Sequence, residues 1–180
     1  KKDLEILDIG ASGITSYYFS QFAKKVYAVE PDLSHFDALM QMVTYNKLDN
    51  VLPINKAIYM KSGKLPAWGN KNKTMISLHQ AVNDGTGQVG EWDCITLPQL
   101  FEENAIEHID VCKIDIEGTE YEIICSTPFK EIAPKIDTII LESHQWAARN
   151  PQQLIDGFKD AGFTNVQQVK SDASILVATK

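Results

Sequence analysis

Two near-continuous apolar runs, "HIDVCKID" (108–115) and "IDTIILES" (136–143), constrain the fold more than any other feature of the chain. A strand with so little polar alternation needs cover on both faces, the situation of a parallel strand in a sheet flanked by helices. The N-terminal part supplies the alternation that such a sheet requires. "LEILDI" (4–9) is a short apolar strand, and "ITSYYFSQFA" (14–23) sets Ile14, Tyr17, Tyr18 and Phe22 at helical spacing. "KVYAVE" (25–30) is a second strand. "DLSHFDALMQMVTYNK" (32–47) carries one helical stripe, Leu33, Phe36, Leu39, Met40 and Val43, with Asp32 as its cap. "VLPINKAI" (51–58) reads as a third strand, placed at an edge or bent by Pro53.

From 59 to 90 the pattern loosens into turn compositions around one short apolar piece, "TMISLH", which predicts β-hairpins or a mobile insertion. "EWDCITL" (91–97) is a strand, and "PQLFEENA" a helix opening on Pro98. Asn150 caps a last helix that begins at Pro151, turns Leu154, Ile155 and Phe158 inward and stops at Gly162. "FTNVQQV" and "SILVAT" follow with no helix between them, so they form an antiparallel hairpin at one sheet edge. The sum is an α/β fold, a doubly wound, mostly parallel sheet with one reversed strand and a β-rich insertion around 59–95. With 180 residues, 44% of them hydrophobic, the chain fills one domain, 1–180.

Composition excludes several functions. A formal charge of -7, from 24 acidic and 17 basic residues, disfavours a nucleic-acid partner or an anionic membrane surface. No apolar run is long enough to span a bilayer. Cys94, Cys112 and Cys125 are an odd number without C-x-x-C spacing, which suits neither a disulfide framework nor a zinc knuckle and makes a cytoplasmic setting the expectation. The sequon at Asn72 carries no weight outside a secreted protein. Oligomeric state leaves no mark on the sequence.

The ligand site of a doubly wound sheet lies beyond the carboxyl ends of its strands, and "DIGASG" falls on the first strand-to-helix loop. Gly10 and Gly13 permit a sharp turn and a close backbone approach, and the following helix aims its amides at the same place. Glu30 ends the second strand, 20 residues after Gly10, at the spacing where a carboxylate meets ribose hydroxyls. A dinucleotide and S-adenosylmethionine both fit this much. The loop is G-x-S-G, however, and Asp8 before it repels a pyrophosphate and suits a cationic group, which favours the sulfonium compound.

"IDVCKIDIEGTEYEII" (109–124) resembles the K-I-D-x-E-G-x-E segment of the FkbM-type methyltransferases, a family of S-adenosylmethionine-dependent O-methyltransferases. "LDIGAS", "VYAVEPD", "LDNVLPINKAI", "DCITLPQL" and "IILESH" are similar to further family segments in the family's order, so the resemblance runs from Leu7 to about His144. It implies a seven-stranded, Rossmann-like methyltransferase sheet. It also implies that Asp8, Gly10 and Ser12 line the methionine end of the cofactor, Glu30 its ribose, and Asn55 to Ala57 its adenine. One departure is that the family usually has glycine where Ile14 stands; here Gly13 comes one residue early, which reroutes the loop. Few residues precede the first strand, too few for a segment that lids the cofactor, so the chain is expected to be trimmed from a longer one.

Methyl transfer to a hydroxyl needs alignment and a proton acceptor. Asp115 and Glu117 at the end of one central strand, and Glu142 and His144 at the end of its neighbour, are the candidates. His144 is the expected base because an unperturbed imidazole titrates near neutrality, and Asp115 is assigned to the cofactor's amino group or the acceptor. Glu142 completes the catalytic set. The same four side chains could hold a divalent metal, but nothing in their spacing identifies an ion, and none is predicted. Glu120 and Glu122 read as a solvated helix face and Gly118 as a turn. His35, His79 and His108 have no acidic partner at useful spacing. Trp68 and Trp92 read as core or rim residues, whereas Trp146 could wall an acceptor pocket. The function expected is methyl transfer to a hydroxyl of a small-molecule or saccharide acceptor. The alternatives are a catalytically inactive cofactor-binding module and a nicotinamide-dependent oxidoreductase.

Overall fold

The sheet is built from the runs identified above. In the computed structural model, which describes residues 3–69, 76–78, 87–144 and 150–180, β1 (Leu4–Ile9), β2 (Ala23–Val29), β3 (Val51–Ile54), β8 (Ile109–Ile114) and β9 (Ile136–Glu142) are parallel neighbours. With β10 (Asn165–Val169) and β11 (Asp172–Thr179) they form a seven-stranded sheet in the order β10-β11-β9-β8-β1-β2-β3. The reversed strand is β11. It is inserted between β9 and β10 and pairs antiparallel with both, so the hairpin stands at the expected edge with its second arm turned inward. Pro53 lies in β3, at the opposite edge, where its missing N–H costs no ladder bond.

The predicted third strand breaks at Asn55 and Lys56. Its second half, β4 (Ala57–Ile58), leaves the main sheet and pairs with β7 (Gln88–Ile95). With β5 (Gly63–Gly69) and β6 (Ile76–Ser77) these strands make a second sheet in the order β4-β7-β5-β6, the β-rich insertion expected from the sequence. The Asn72 sequon, His79 and Trp146 lie outside the described residues.

Helices cover both faces. α1 (Gly13–Ser20) and α2 (Leu33–Tyr45) lie over Ile6, Ala23, Val26 and Ala28 on one face. α3 (Leu97–Glu103), α4 (Glu120–Ile124), α5 (Thr127–Ile132) and α6 (Gln152–Asp160) close the other over Leu7, Ile109, Cys112 and Ile139. Their caps are local. Asp32 Oδ1 accepts from the amides of Ser34 and His35, and Thr96 and Gln99 form a reciprocal capping box; α6 starts one residue later than expected, with Pro151 at its cap position, and Asn150 just before it accepts from Gln152 N through Oδ1. Gly162, at φ +92°, ends α6 in a conformation that other residues rarely adopt.

α1 does not turn the predicted face inward. Ile14, Tyr17 and Tyr18 are exposed, and Ser16 and Ser20 are buried. Alternation along β1 explains the reversal. Asp8 shares a face with Ile6, so the strand presents a carboxylate to the helix, and the helix answers it with hydroxyls instead of hydrocarbon.

Candidate functional site

At its C-terminal end β1 turns through Gly10, held at φ +75°. A Cβ there would stand 1.7 Å from the backbone oxygen of Asp115, so only glycine lets the β1 turn pass the end of β8. Gly13 lines the cavity described below with its backbone, and its missing side chain faces elsewhere. It opens α1, and a Cβ on it would meet Met42 of α2 at 3.6 Å, an ordinary contact. Ile14 is 83% exposed and lies outside the cavity described below, so the early glycine leaves its wall intact.

That cavity, about 290 Å³, is lined by Gly10 to Gly13, by Glu30, Pro31 and Asp32 after β2, and by Asp115, Ile116 and Glu117 after β8. It lies where the strand order reverses between β2-β1 and β8-β9, the position that ligands take in doubly wound sheets. His35 and Ala38 of α2 and Ile76 and Trp92 of the second sheet complete its wall. Neither His35 nor Trp92 was assigned a ligand role from the sequence. His35 Nδ1 stands 3.9 Å from Glu30 Oε1, and Trp92 reaches the site only through the pairing of β7 with β4 and β5.

Asp8 is not a wall residue. It is fully buried beneath the turn, where Oδ2 accepts from Thr15 and Ser16 hydroxyls at 2.8 Å each and Oδ1 lies 3.4 Å from Lys113 Nζ. Burial pushes its carboxyl above the ordinary range, against the opposing pull of Lys113 and the two hydroxyls. Lys113 also donates to Gly10 O at 2.7 Å and stands 3.3 Å from Asp115 Oδ2, so one ammonium ties the β1 turn to the end of β8. Asn55 and Ala57 are set apart from the cavity too. Asn55 Nδ2 donates to the backbone oxygens of Glu30 and Pro31 and so holds the loop that carries Glu30, and Ala57 is buried in β4.

Glu30 is 8% exposed and lines the cavity. Its Oε1 accepts from Asp32 N at 2.8 Å, and among the described residues Oε2 accepts no hydrogen bond. Burial raises its pKa to about 7, with the Asp32 amide pulling the other way.

Behind Asp115 and Glu117 stands His144, at the end of β9. Its Nδ1 is 2.8 Å from Glu120 Oε1, and its Nε2 is 3.5 Å from Glu117 Oε2 and 3.9 Å from Asp115 Oδ1. Burial opposes an imidazolium here, but the hydrogen bond to Glu120 and the charges of Glu120, Glu117 and Asp115 outweigh it and raise the pKa to about 9. These carboxylates favour the imidazolium, whereas the ordinary imidazole pKa pointed to a free base. Burial also raises the pKa of Glu117, against the attraction of His144. Glu117 sits at φ +56°, a conformation that costs a non-glycine residue energy. Glu142 stands outside this group and acts on Glu117 through charge.

Glu120 is the residue that sequence reasoning misplaced. It is fully buried, not solvated, and its Oε1 accepts from the amides of Ile116 and Gly118 as well as meeting His144. The available signal was the K-I-D-x-E-G-x-E match, which includes both Lys113 and Glu120.

Known proteins share this architecture. A crystal structure of methyltransferase FkbM from Methylobacillus flagellatus KT is similar over 99% of this chain and 44% of its own, with 13% identity and a TM-score of 0.65. A precorrin-6y C5,15-methyltransferase from Geobacter metallireducens GS-15 is similar over 99% and 80%, with 14% identity and a TM-score of 0.55. An S-adenosylmethionine-dependent methyltransferase from Aquifex aeolicus is similar over 99% and 81%, with 14% identity and a TM-score of 0.51. At these identities the likeness is one of fold, and this chain spans less than half of the Methylobacillus chain. A search of curated proteins returns no match. The methyltransferase FkbM domain model matches residues 8–164, most of the 180, and on that match the chain belongs to the FkbM methyltransferase family.

Proposed function

We propose that this domain binds S-adenosylmethionine in the cavity at the ends of β1, β2 and β8 and transfers its methyl group to a hydroxyl of a small-molecule or saccharide acceptor. The observation that carries the reading is the meeting of the Gly10–Gly13 turn, Glu30 and the Asp115/Glu117 pair around one cavity in a methyltransferase-family sheet. The wall fits the compound. Glu30 Oε2 is available to ribose hydroxyls, and the carboxylates of Asp115 and Glu117 face a space that suits a cationic sulfonium and amino group. When bound, S-adenosylmethionine supplies a methyl carbon that bonds to the acceptor oxygen while the electron pair of the broken carbon–sulfur bond stays on sulfur.

The chain's own residues position and receive the proton. Asp115 and Glu117 form the cavity edge where an acceptor hydroxyl releases it, and the buried Glu120–His144 pair holds that edge from behind. Asp8 and Lys113 serve from below by keeping the turn against β8. A cytoplasmic setting belongs to the proposal and rests on the cysteine pattern. Among the described residues, no helix is long and apolar enough to cross a membrane.

Thermal unfolding with S-adenosylmethionine or NAD tests the cofactor. At 100 times its dissociation constant a ligand stabilises the fold by about 2.7 kcal/mol. Stabilisation by S-adenosylmethionine alone is expected; stabilisation by NAD alone would reject the reading. Release of S-adenosylhomocysteine across a panel of hydroxylated small molecules and sugars then tests transfer, and binding without release from any acceptor would favour an inactive module.

Glu30 makes the binding pH-dependent. Ribose hydroxyls donating to its carboxylate favour the ionised form, and the free group ionises at about pH 7. Affinity for S-adenosylmethionine should therefore be roughly tenfold higher at pH 8 than at pH 6, and this step should vanish in Glu30→Gln. Calorimetric titration at the two pH values measures it. Equal wild-type affinities would place Glu30 away from the ribose. The same shift affects folding. Its folded pKa lies above the unfolded 4.5, so the native state binds the extra proton and Glu30's contribution to stability falls as pH rises from about 4.5 to about 7.

A further inference from the structure

We infer that Asp115, Glu117 and His144 form a binding site for one divalent cation of the Mn²⁺ type. The site stands at the edge of the cavity, and the inference does not depend on methyl transfer.

One ligand atom from each of the three residues lies within 4.8 Å of the other two. His144 Nε2 is 3.5 Å from Glu117 Oε2 and 3.9 Å from Asp115 Oδ1. Bonds of ~2.0–2.2 Å to a shared ion set neighbouring ligand atoms roughly 3–3.6 Å apart, so the three need only a small inward movement. The residues come from two different strand ends, and the parallel pairing of β8 with β9 brings them together.

Two further observations point to an ion. Glu117 Oε2, the atom that faces His144 Nε2 in an ion pair at 3.5 Å, is itself withdrawn from water and accepts no hydrogen bond among the described residues. A carboxylate oxygen withdrawn from water without a donor is costly, and a metal bond removes that cost. Glu120, fully buried and anchored by two backbone amides, contacts His144 Nδ1 at 2.8 Å and leaves Nε2 as the atom presented to the carboxylates. A buried carboxylate behind a histidine is how proteins orient an imidazole ligand.

The donor set indicates the kind of ion. Two carboxylates and one imidazole with no sulfur suit Mn²⁺ and similar cations, and three protein ligands leave positions open toward the cavity. The competing explanation is that the imidazolium alone balances the carboxylates, with the remaining negative charge reserved for a cationic cofactor.

The test uses the whole chain stripped with chelator, without cofactor or acceptor. Mn²⁺ titration, read by calorimetry and by the loss of the free-ion electron paramagnetic resonance signal, is expected to show one ion per chain. Asp115→Asn combined with Glu117→Gln should abolish binding, and Glu120→Gln should weaken it by about 10- to 100-fold. His108 and Asp137, both exposed, and the partly buried Asp110 form a second group of possible ligands, so His108→Ala serves as the control and should leave binding unchanged. Thermal unfolding of each variant separates lost ligands from lost fold. Absence of stoichiometric Mn²⁺ binding by the folded wild-type chain, or binding that survives the double substitution, overturns the inference. Neither result bears on S-adenosylmethionine binding, which is measured separately without metal.

Discussion

Gly10→Ala is expected to destabilise the domain by about 4 kcal/mol or more and to abolish S-adenosylmethionine binding. The added Cβ falls 1.7 Å from Asp115 O and 2.8 Å from its carbonyl carbon, both backbone atoms that cannot rotate aside. The φ of +75° adds a penalty that every L-residue pays. Relief requires β1 and β8 to separate where Asp115 N donates to Ile9 O at 3.1 Å and Lys113 reaches Gly10 O, and it pulls on the Gly10 N bond to Val29 O of β2 at 3.0 Å. Thermal unfolding should show a drop of about 10 °C, and calorimetry no cofactor binding. Gly13→Ala is the internal contrast. Gly13 is helical and its Cβ would meet only Met42, so alanine there should be neutral or stabilising by up to about 1 kcal/mol. Equal losses at both positions would mean that the turn is not held against Asp115 as described.

Lys113→Met is expected to cost about 3–5 kcal/mol at pH 8, because it removes the cation from a fully buried carboxylate. Asp8 keeps the two hydroxyl bonds on Oδ2 and loses its neighbour on Oδ1. The sign of the pH dependence follows. Burial already raises the Asp8 pKa, and loss of Lys113 raises it further, so the folded variant holds a proton that the unfolded chain releases above about pH 4. Its stability therefore falls as pH rises, and the deficit relative to wild type should shrink between pH 8 and pH 5. Urea unfolding at both values measures this. Adding Asp8→Asn should recover part of the loss at pH 8. A deficit independent of pH, or no recovery, would show that Lys113 acts by packing alone.

The central strands were legible because their cause is local. "IDVCKI" and "IDTIILE" have few polar positions, and such segments have no stable place other than a sheet covered on both sides. Asp32, Asn150 and Gly162 marked helix boundaries for the same kind of reason, since such a residue bonds to amides two or three residues away or relies on its own φ, whereas the Thr96 cap was read as part of a strand. Glu30 and the glycine turn were also found by spacing, and both line the cavity.

Other residues were misread where the deciding partner is distant in sequence. The inward face of α1 depends on Asp8, a strand residue whose parity turns its carboxylate toward the helix, so hydroxyls are buried there and Tyr18 faces water. Glu120 reads as a surface residue in a five-residue helix until His144, 24 positions later, is set against it by the pairing of β8 with β9. Trp92 and Ile76 reach the cavity through a second sheet that begins where β4 leaves the line of β3.

By itself the sequence determined what depends on neighbours a few residues apart: the order of strands and helices, their caps, and the strand-end loops that carry Gly10, Glu30, Asp115 and His144. Tertiary structure alone decided which of those loops face one another and which charges lose their water. Strand order brings residues more than a hundred positions apart into contact, as Lys113 with Gly10; burial then shifts Asp8 and Glu30, and the carboxylates gathered around His144 shift it against its own burial. Hydrophobic periodicity records only that a residue is covered, whereas the energy of a buried charge depends on the particular group that covers it.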